Sequence, residues 1–238
     1  MILIDPESTL ADIVTAHPSA ARLFERHDLD YCCGGSRTLS EACVEGGLDR
    51  AVVVAELAEQ ATGDASVPLT ALSLVQLVDH IEATYHVPLR RELERLDSLL
   101  EKVVRVHGPR HAELESVHDT FRRLRADLEP HLRHEEHTIF PAIRLLDLAP
   151  SRDAAPLGLI EAIDGLAREH DVAGALLSEL RMVTSGYRVP DDGCAAYRSC
   201  YGGLADLEAD LHLHVHTENN VLFPTADRAA RRLALASP

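Results

Sequence analysis

Residues 131 to 141 read HLRHEEHTIFP and place three histidines and two glutamates in eleven positions. Imidazole and carboxylate at helical spacing are donors for divalent transition metals. Which of the five share an ion is decided by an internal repeat. LRADLEPHLRHEEHTIFP (124–141) aligns without a gap to LEADLHLHVHTENNVLFP (207–224), 83 residues further on. His131 matches His214, Glu135 matches Glu218, and Phe140-Pro141 matches Phe223-Pro224. His134 faces Thr217, His137 faces Asn220, and His212 and His216 face Glu129 and Arg133, so these histidines are not shared. Only the two His-x-x-x-Glu pairs pass, and His134, Glu136 and His137 read as bystanders. A four-residue step turns a helix by only about 40°, so each pair projects from one face. Leu124 and Leu128, like Leu207 and Leu211, precede them on the same apolar stripe, which directs both pairs inward.

A second repeat supplies the remaining donors. YHVPLRRELERL (85–96) aligns with EHDVAGALLSEL (169–180) at an offset of 84, matching His86 to His170. Apolar residues follow each histidine at +3, +7 and +10, a heptad-like seam that places it on the buried face. His80 lies off that stripe. The sum is four imidazoles and two carboxylates, which would cost several kcal/mol inside an apolar bundle without a compensating partner. Two divalent ions fit, each held by two histidines and both bridged by the glutamates. Such donors suit iron, manganese or zinc, while the lack of inward thiolates argues against a structural zinc site. Each metal keeps an open position for a small diatomic ligand. Asp127 and Asp210 lie one turn before His131 and His214, where carboxylates orient imidazoles. His107, after Arg105-Val106 at a helix end, reads as a capping residue.

Four long helices are expected to carry these residues: 71–105 with an interruption near Pro88, 110–146, 156–185 and 192–233. HGPR, DLAPSRDAAP and SGYRVPDDG separate them, and short connections between long amphipathic helices give an up-down four-helix bundle. Residues 1–61 form a separate small domain of short helices, opened by Ser8 or Thr9 as a cap, and TGDASVPLT (62–70) is the expected linker to a bundle over 71–238. The composition agrees with an all-α fold: apolar content is 46%, dominated by Leu, Ala and Val, and Trp is absent.

A net charge of −16 excludes a phosphate-backbone binder, which needs a basic patch, and argues against anionic membrane surfaces. No basic-then-apolar leader opens the sequence and no apolar run approaches the roughly 20 residues of a membrane helix, so a cytoplasmic location is expected. The five cysteines, Cys32, Cys33, Cys43, Cys194 and Cys200, do not form the pattern of a disulfide framework and are expected to be mostly reduced. Adjacent Cys32 and Cys33 lie about 3.8 Å apart at Cα, below the usual disulfide range of about 4.4–6.8 Å, so a bridge between them would be strained. That favours a redox or iron-handling pair. Gly34 and Gly35 free the backbone to approach a partner or close a turn. Cys194 and Cys200 lie on helix-like sequence and read as packing residues.

The YH at 85–86, HLRHEEHTIFP, EHDVAG at 169–174, HVHTENNVLFP and the amino-terminal DYCCGG at 30–35 together resemble one family over nearly the full chain. It is the ScdA/YtfE type of iron-sulfur cluster repair protein, with a hemerythrin-like bundle and an ScdA-type amino-terminal domain. The resemblance implies two non-haem iron ions held by His86, His131, Glu135, His170, His214 and Glu218, bridged by the glutamates and an oxo or hydroxo group. It implies repair of iron-sulfur proteins damaged by oxidative or nitrosative stress, by iron donation or reaction with nitric oxide, with Cys32 and Cys33 passing iron or electrons. Oxygen-carrying hemerythrins are similar in fold but use a fifth histidine, and no fifth histidine is supported by the repeat. Two alternatives stay open: a sensor or store of oxygen, nitric oxide or iron without turnover, and a catalytic reductase of nitric oxide or peroxide. A homodimer is compatible with the sequence.

Overall fold

A computed structural model of the chain describes residues 4–60, 68–148 and 158–235. Among them regular structure is helical, apart from a single antiparallel bridge between Thr9 and Thr38. No described helix is long and apolar enough to cross a membrane. The backbone divides into two compact units, one of residues 1–79, 143–157 and 212–238, the other of residues 80–142 and 158–211.

The first unit opens with four short helices, α1 (Leu10–Ala16), α2 (Ala20–Arg26), α3 (Leu39–Glu45) and α4 (Arg50–Gln60). Their starts follow local chemistry. Thr9 caps α1 by accepting from the Asp12 amide, and Thr38 caps α3 in a reciprocal box with Glu41. Leu10, Leu23, Phe24 and Leu39 are fully buried in a small core that also takes in Tyr31, Cys43 and, from far along the chain, Val215. Of the expected linker, 62–67 lies outside the described residues, and Leu69–Ala71 forms a single 3₁₀ turn.

The long helices follow as α5 (Leu74–Ile81), α6 (Val87–His107), α7 (Glu113–His134), α8 (Phe140–Leu148), α9 (Leu159–Val183), α10 (Ala195–Thr217) and α11 (Phe223–Leu235). The second unit is built on α6, α7, α9 and the greater part of α10. Leu93, Leu96 and Leu100 on α6, Phe121 and Leu124 on α7, Leu177 and Leu180 on α9, and Leu204 and Leu207 on α10 form one continuous core. Each fully buried Leu contributes about 1.5–3 kcal/mol, so this seam is the main source of the unit's stability.

The interruption expected at Pro88 takes another form. The chain stays helical there and widens for one turn into a π-helix, Glu82–His86. The same happens at Glu135–Ile139 and Glu218–Leu222. In each case the N–H following the turn reaches five residues back: Val87 to Glu82, Phe140 to Glu135, Phe223 to Glu218. A proline follows that residue every time, Pro88, Pro141 and Pro224. Proline has no N–H to give its i−4 carbonyl, and the wider turn absorbs that missing bond without breaking the helix.

Candidate metal centre

All three π-helical turns fall on residues singled out by the repeat: His86 ends the first, Glu135 opens the second and Glu218 opens the third. Each turn inserts one residue into the helical register, so the donors are aimed independently of the seam beyond them. His86, Glu135 and Glu218 are fully buried, and His131, His170 and His214 are nearly so.

In the second unit four candidate donors meet. Glu135 Oε1 lies 3.4 Å from His131 Nε2, and Glu135 Oε2 lies 3.5 Å from His86 Nε2. His131 Nε2 also faces His170 Nε2 at 3.1 Å. Ligands on one ion at about 2.0–2.2 Å stand roughly 3.0–3.5 Å apart at right to tetrahedral angles, so these separations suit shared coordination. The two carboxylate oxygens of Glu135 address different imidazoles, as a bridge between two ions requires.

The far nitrogens of two imidazoles are held by carboxylates. His86 Nδ1 donates to Glu136 Oε1 at 2.9 Å, and His131 Nδ1 donates to Glu169 Oε2 at 2.7 Å. With the proton fixed on Nδ1, each Nε2 keeps its lone pair for an ion. Burial opposes ionisation of Glu136, but hydrogen bonds from Arg90 and His86 outweigh it and hold its carboxyl below the usual range. Phe140 stacks on His86 at 5.3 Å between centroids.

Sequence reasoning missed both of these carboxylates. Glu136 reads as a bystander because Asn219 faces it in the repeat, and Glu169, opposite Tyr85, is not among the candidates. The position expected of Asp127 beside His131 is taken by Glu169; Asp127 is half-buried and Asp210 exposed. His134 and His137 are exposed, as their lack of a repeat partner implied.

In the first unit, His214 Nε2 lies 3.0 Å from Glu218 Oε1. The DYCCGG loop packs against this same helical segment. Asn220 Nδ2 donates to the Cys32 carbonyl at 3.0 Å, and His216 Nδ1 donates to the Tyr31 carbonyl at 3.2 Å. Thr15 Oγ1 completes the anchor by donating to His216 Nε2 at 3.1 Å. Burial pushes the His216 imidazole down to about 4, so it is neutral near pH 7, as this pair of bonds requires. Asp30 receives the amides of Cys32, Cys33 and Gly34 at 3.1, 3.0 and 2.8 Å. Cys32 is buried and Cys33 exposed, with their sulfurs 3.7 Å apart as thiols. The hydrogen bond to Cys33, then burial and the nearby Asp30 charge, push the Cys32 thiol far up.

Residues 77–226 match the family model of the hemerythrin HHE cation binding domain, and residues 6–61 match ScdA_N, a domain of unknown function (DUF542). The chain is 33% identical over 222 residues to the iron-sulfur cluster repair protein ScdA of Staphylococcus haemolyticus (strain JCSC1435), covering 93% of this chain and 98% of that protein. It is 33% identical over 220 residues to the iron-sulfur cluster repair protein YtfE of Escherichia coli O8 (strain IAI1), covering 92% and 96%. The chain belongs to the ScdA/YtfE family. The hemerythrin-like stretch carries buried imidazole and carboxylate donors in each unit: His86, His131, Glu135 and His170 in the second, His214 and Glu218 in the first. Their chemistry suits divalent metals. Of the five cysteines, Cys200 packs in the core as expected. Cys194 does not: it is exposed at the start of α10.

Proposed function

We propose that this ScdA/YtfE protein repairs iron-sulfur clusters damaged by oxidative or nitrosative stress, holding two non-haem iron ions with His86, His131, Glu135, His170, His214 and Glu218. The observation that carries the metal assignment is Glu135, whose two oxygens face His131 and His86 separately from a fully buried position. Iron held there would supply reaction with nitric oxide or oxygen, or a labile ion for donation.

The chain's own residues prepare that chemistry. Glu136 and Glu169 keep protons on the outer nitrogens of His86 and His131, leaving the inner nitrogens as donors. Phe140 covers one face of His86 and limits water there. Cys32 stays a thiol beside Asp30, and exposed Cys33 is the sulfur a client can reach, which suits the pair to passing iron or electrons. Damaged iron-sulfur proteins are the partners, as the names of the ScdA and YtfE relatives indicate. A cytoplasmic location belongs to this reading, and a homodimer is compatible with it.

Replacing His131 and Glu135 together by Ala is expected to remove most bound iron; unchanged stoichiometry overturns the ligand assignment. Recovery of a nitric-oxide-damaged cluster enzyme in the presence of the iron-loaded protein tests repair. Adding nitric oxide anaerobically to the reduced protein separates the alternatives: gas released over many equivalents indicates a reductase, and stoichiometric uptake without release or repair indicates a sensor.

A further inference from the structure

A separate cluster of donors lies at one end of the second unit. His107 is the last residue of α6, His111 follows in the turn before α7, and Asp192 and Cys194 close the loop that leads into α10. Donor atoms of His107, His111 and Asp192 all lie within 4.8 Å of one another. His111 Nε2 is 2.9 Å from Asp192 Oδ1, and His107 Nε2 is 3.2 Å from the Cys194 sulfur. His107 is only 3% exposed, yet its Nδ1 has no hydrogen-bond partner among the described residues. A capping role accounts for neither the burial of this imidazole nor its approach to sulfur.

We propose that His107, His111, Asp192 and Cys194 form a second metal site, one that takes a divalent cation of the zinc class. Two imidazoles, one carboxylate and one thiolate are a tetrahedral zinc donor set, and nitrogen, oxygen and sulfur ligands on one zinc stand roughly 3.3–3.6 Å apart. The His111–Asp192 and His107–Cys194 pairs are within a few tenths of an ångström of that spacing. Sulfur distinguishes this set from the centre at Glu135, whose donors are only nitrogen and oxygen, and favours zinc over iron here. Backbone amides, Tyr197 first, hold the Cys194 thiol below its ordinary value against a smaller opposing effect of burial. The His111 hydrogen bond holds the Asp192 carboxyl below its ordinary value, and Arg110 lies 3.6 Å from its other oxygen. Glu113 Oε1, 3.2 Å from His111 Nδ1, orients that imidazole as outer carboxylates do for zinc-bound histidine. A bound ion would clip the α6–α7 turn to the loop before α10. The site shares no residue with the iron centre and does not depend on that assignment.

Cobalt(II) is the probe, because a thiolate ligand gives it an intense near-ultraviolet charge-transfer band that nitrogen and oxygen ligands do not. The full chain carrying Cys32→Ser and Cys33→Ser, with its iron sites filled, is titrated with cobalt(II). One equivalent is expected to produce the band, zinc to bleach it, Cys194→Ser to abolish it, and His111→Asn to weaken binding. Adding His131→Ala and Glu135→Ala should leave it intact, so failure of the iron assignment and failure of this one are told apart. No band with cobalt in excess, or a band unchanged by Cys194→Ser, overturns the proposal. If Cys194→Ser does not fold, alkylation of the folded parent protein reads the same point: zinc is expected to protect Cys194, and equal alkylation with and without zinc overturns the site.

Discussion

At the scale of single residues, the repeat is a filter with a known bias. It keeps what both halves of the chain need and discards what only one half needs. His131 and Glu135 pass because His214 and Glu218 answer them 83 residues on. Glu136 fails, although it holds His86 Nδ1 at 2.9 Å, because each imidazole takes its outer carboxylate from a different place in the chain. Glu136→Gln, which keeps the shape and loses the charge, is expected to weaken metal binding by about 10–100-fold, the usual effect of removing an outer partner. Competition with a chelator measures it, and an unchanged affinity would show that Arg90 and packing alone orient His86. The glycines of DYCCGG were legible as a backbone device, but what they approach was not. A Cβ on Gly35 would stand 2.3 Å from the Tyr31 carbonyl oxygen, a rigid backbone atom, and 2.9 Å from the Ala11 methyl. Gly35→Ala is therefore expected to cost about 1–3 kcal/mol, read as a lower urea midpoint. His216 fails the same filter as Glu136: with Asn220 it anchors the cysteine loop, a task the repeat does not share.

At the scale of elements, apolar periodicity located every long helix to within a few residues, because a seam such as Leu89, Leu93, Leu96 and Leu100 repeats often enough to define its own period. The π-helical turns were not legible that way. One inserted residue shifts the pattern by about 100° over a single turn, too short a stretch for periodicity to register. What the sequence does carry is the proline two residues beyond each turn, which was read at Pro88 as an interruption. The turn has a direct consequence for the site. Deleting the exposed Thr138 removes the extra residue of Glu135–Ile139 and lets α7 run into α8 in α register. Phe140 would swing by about 100° relative to Glu135 and leave the face of His86. The deletion is expected to preserve helical content by circular dichroism while bound iron falls by half or more. Retention of iron would show that the donors, not the turn, set the geometry.

At the scale of the whole molecule, the candidate ligands come from four places between residues 86 and 218, all inside the stretch that matches the hemerythrin domain. An unfolded chain cannot hold them together, so a metal binds the native state almost exclusively and its binding free energy adds to stability. At a free metal concentration 100 times the dissociation constant the gain is about 2.7 kcal/mol. For a chain of 238 residues each kcal/mol moves the melting temperature by about 2–4 °C, so iron loading is expected to raise it by about 5–10 °C. The high negative charge works in the same direction: with −16 on the apo chain, two divalent cations relieve self-repulsion, and added salt should stabilise the apo form more than the loaded one. Differential scanning fluorimetry at low and moderate salt, with and without anaerobic ferrous iron, measures both effects. His131→Ala with Glu135→Ala should abolish the iron-dependent rise while keeping the salt response, because the first depends on six particular side chains and the second only on total charge. A rise that survives the double substitution would place the stabilising ion elsewhere, and Cys194→Ser in the same background would then test whether it sits between His107 and Asp192.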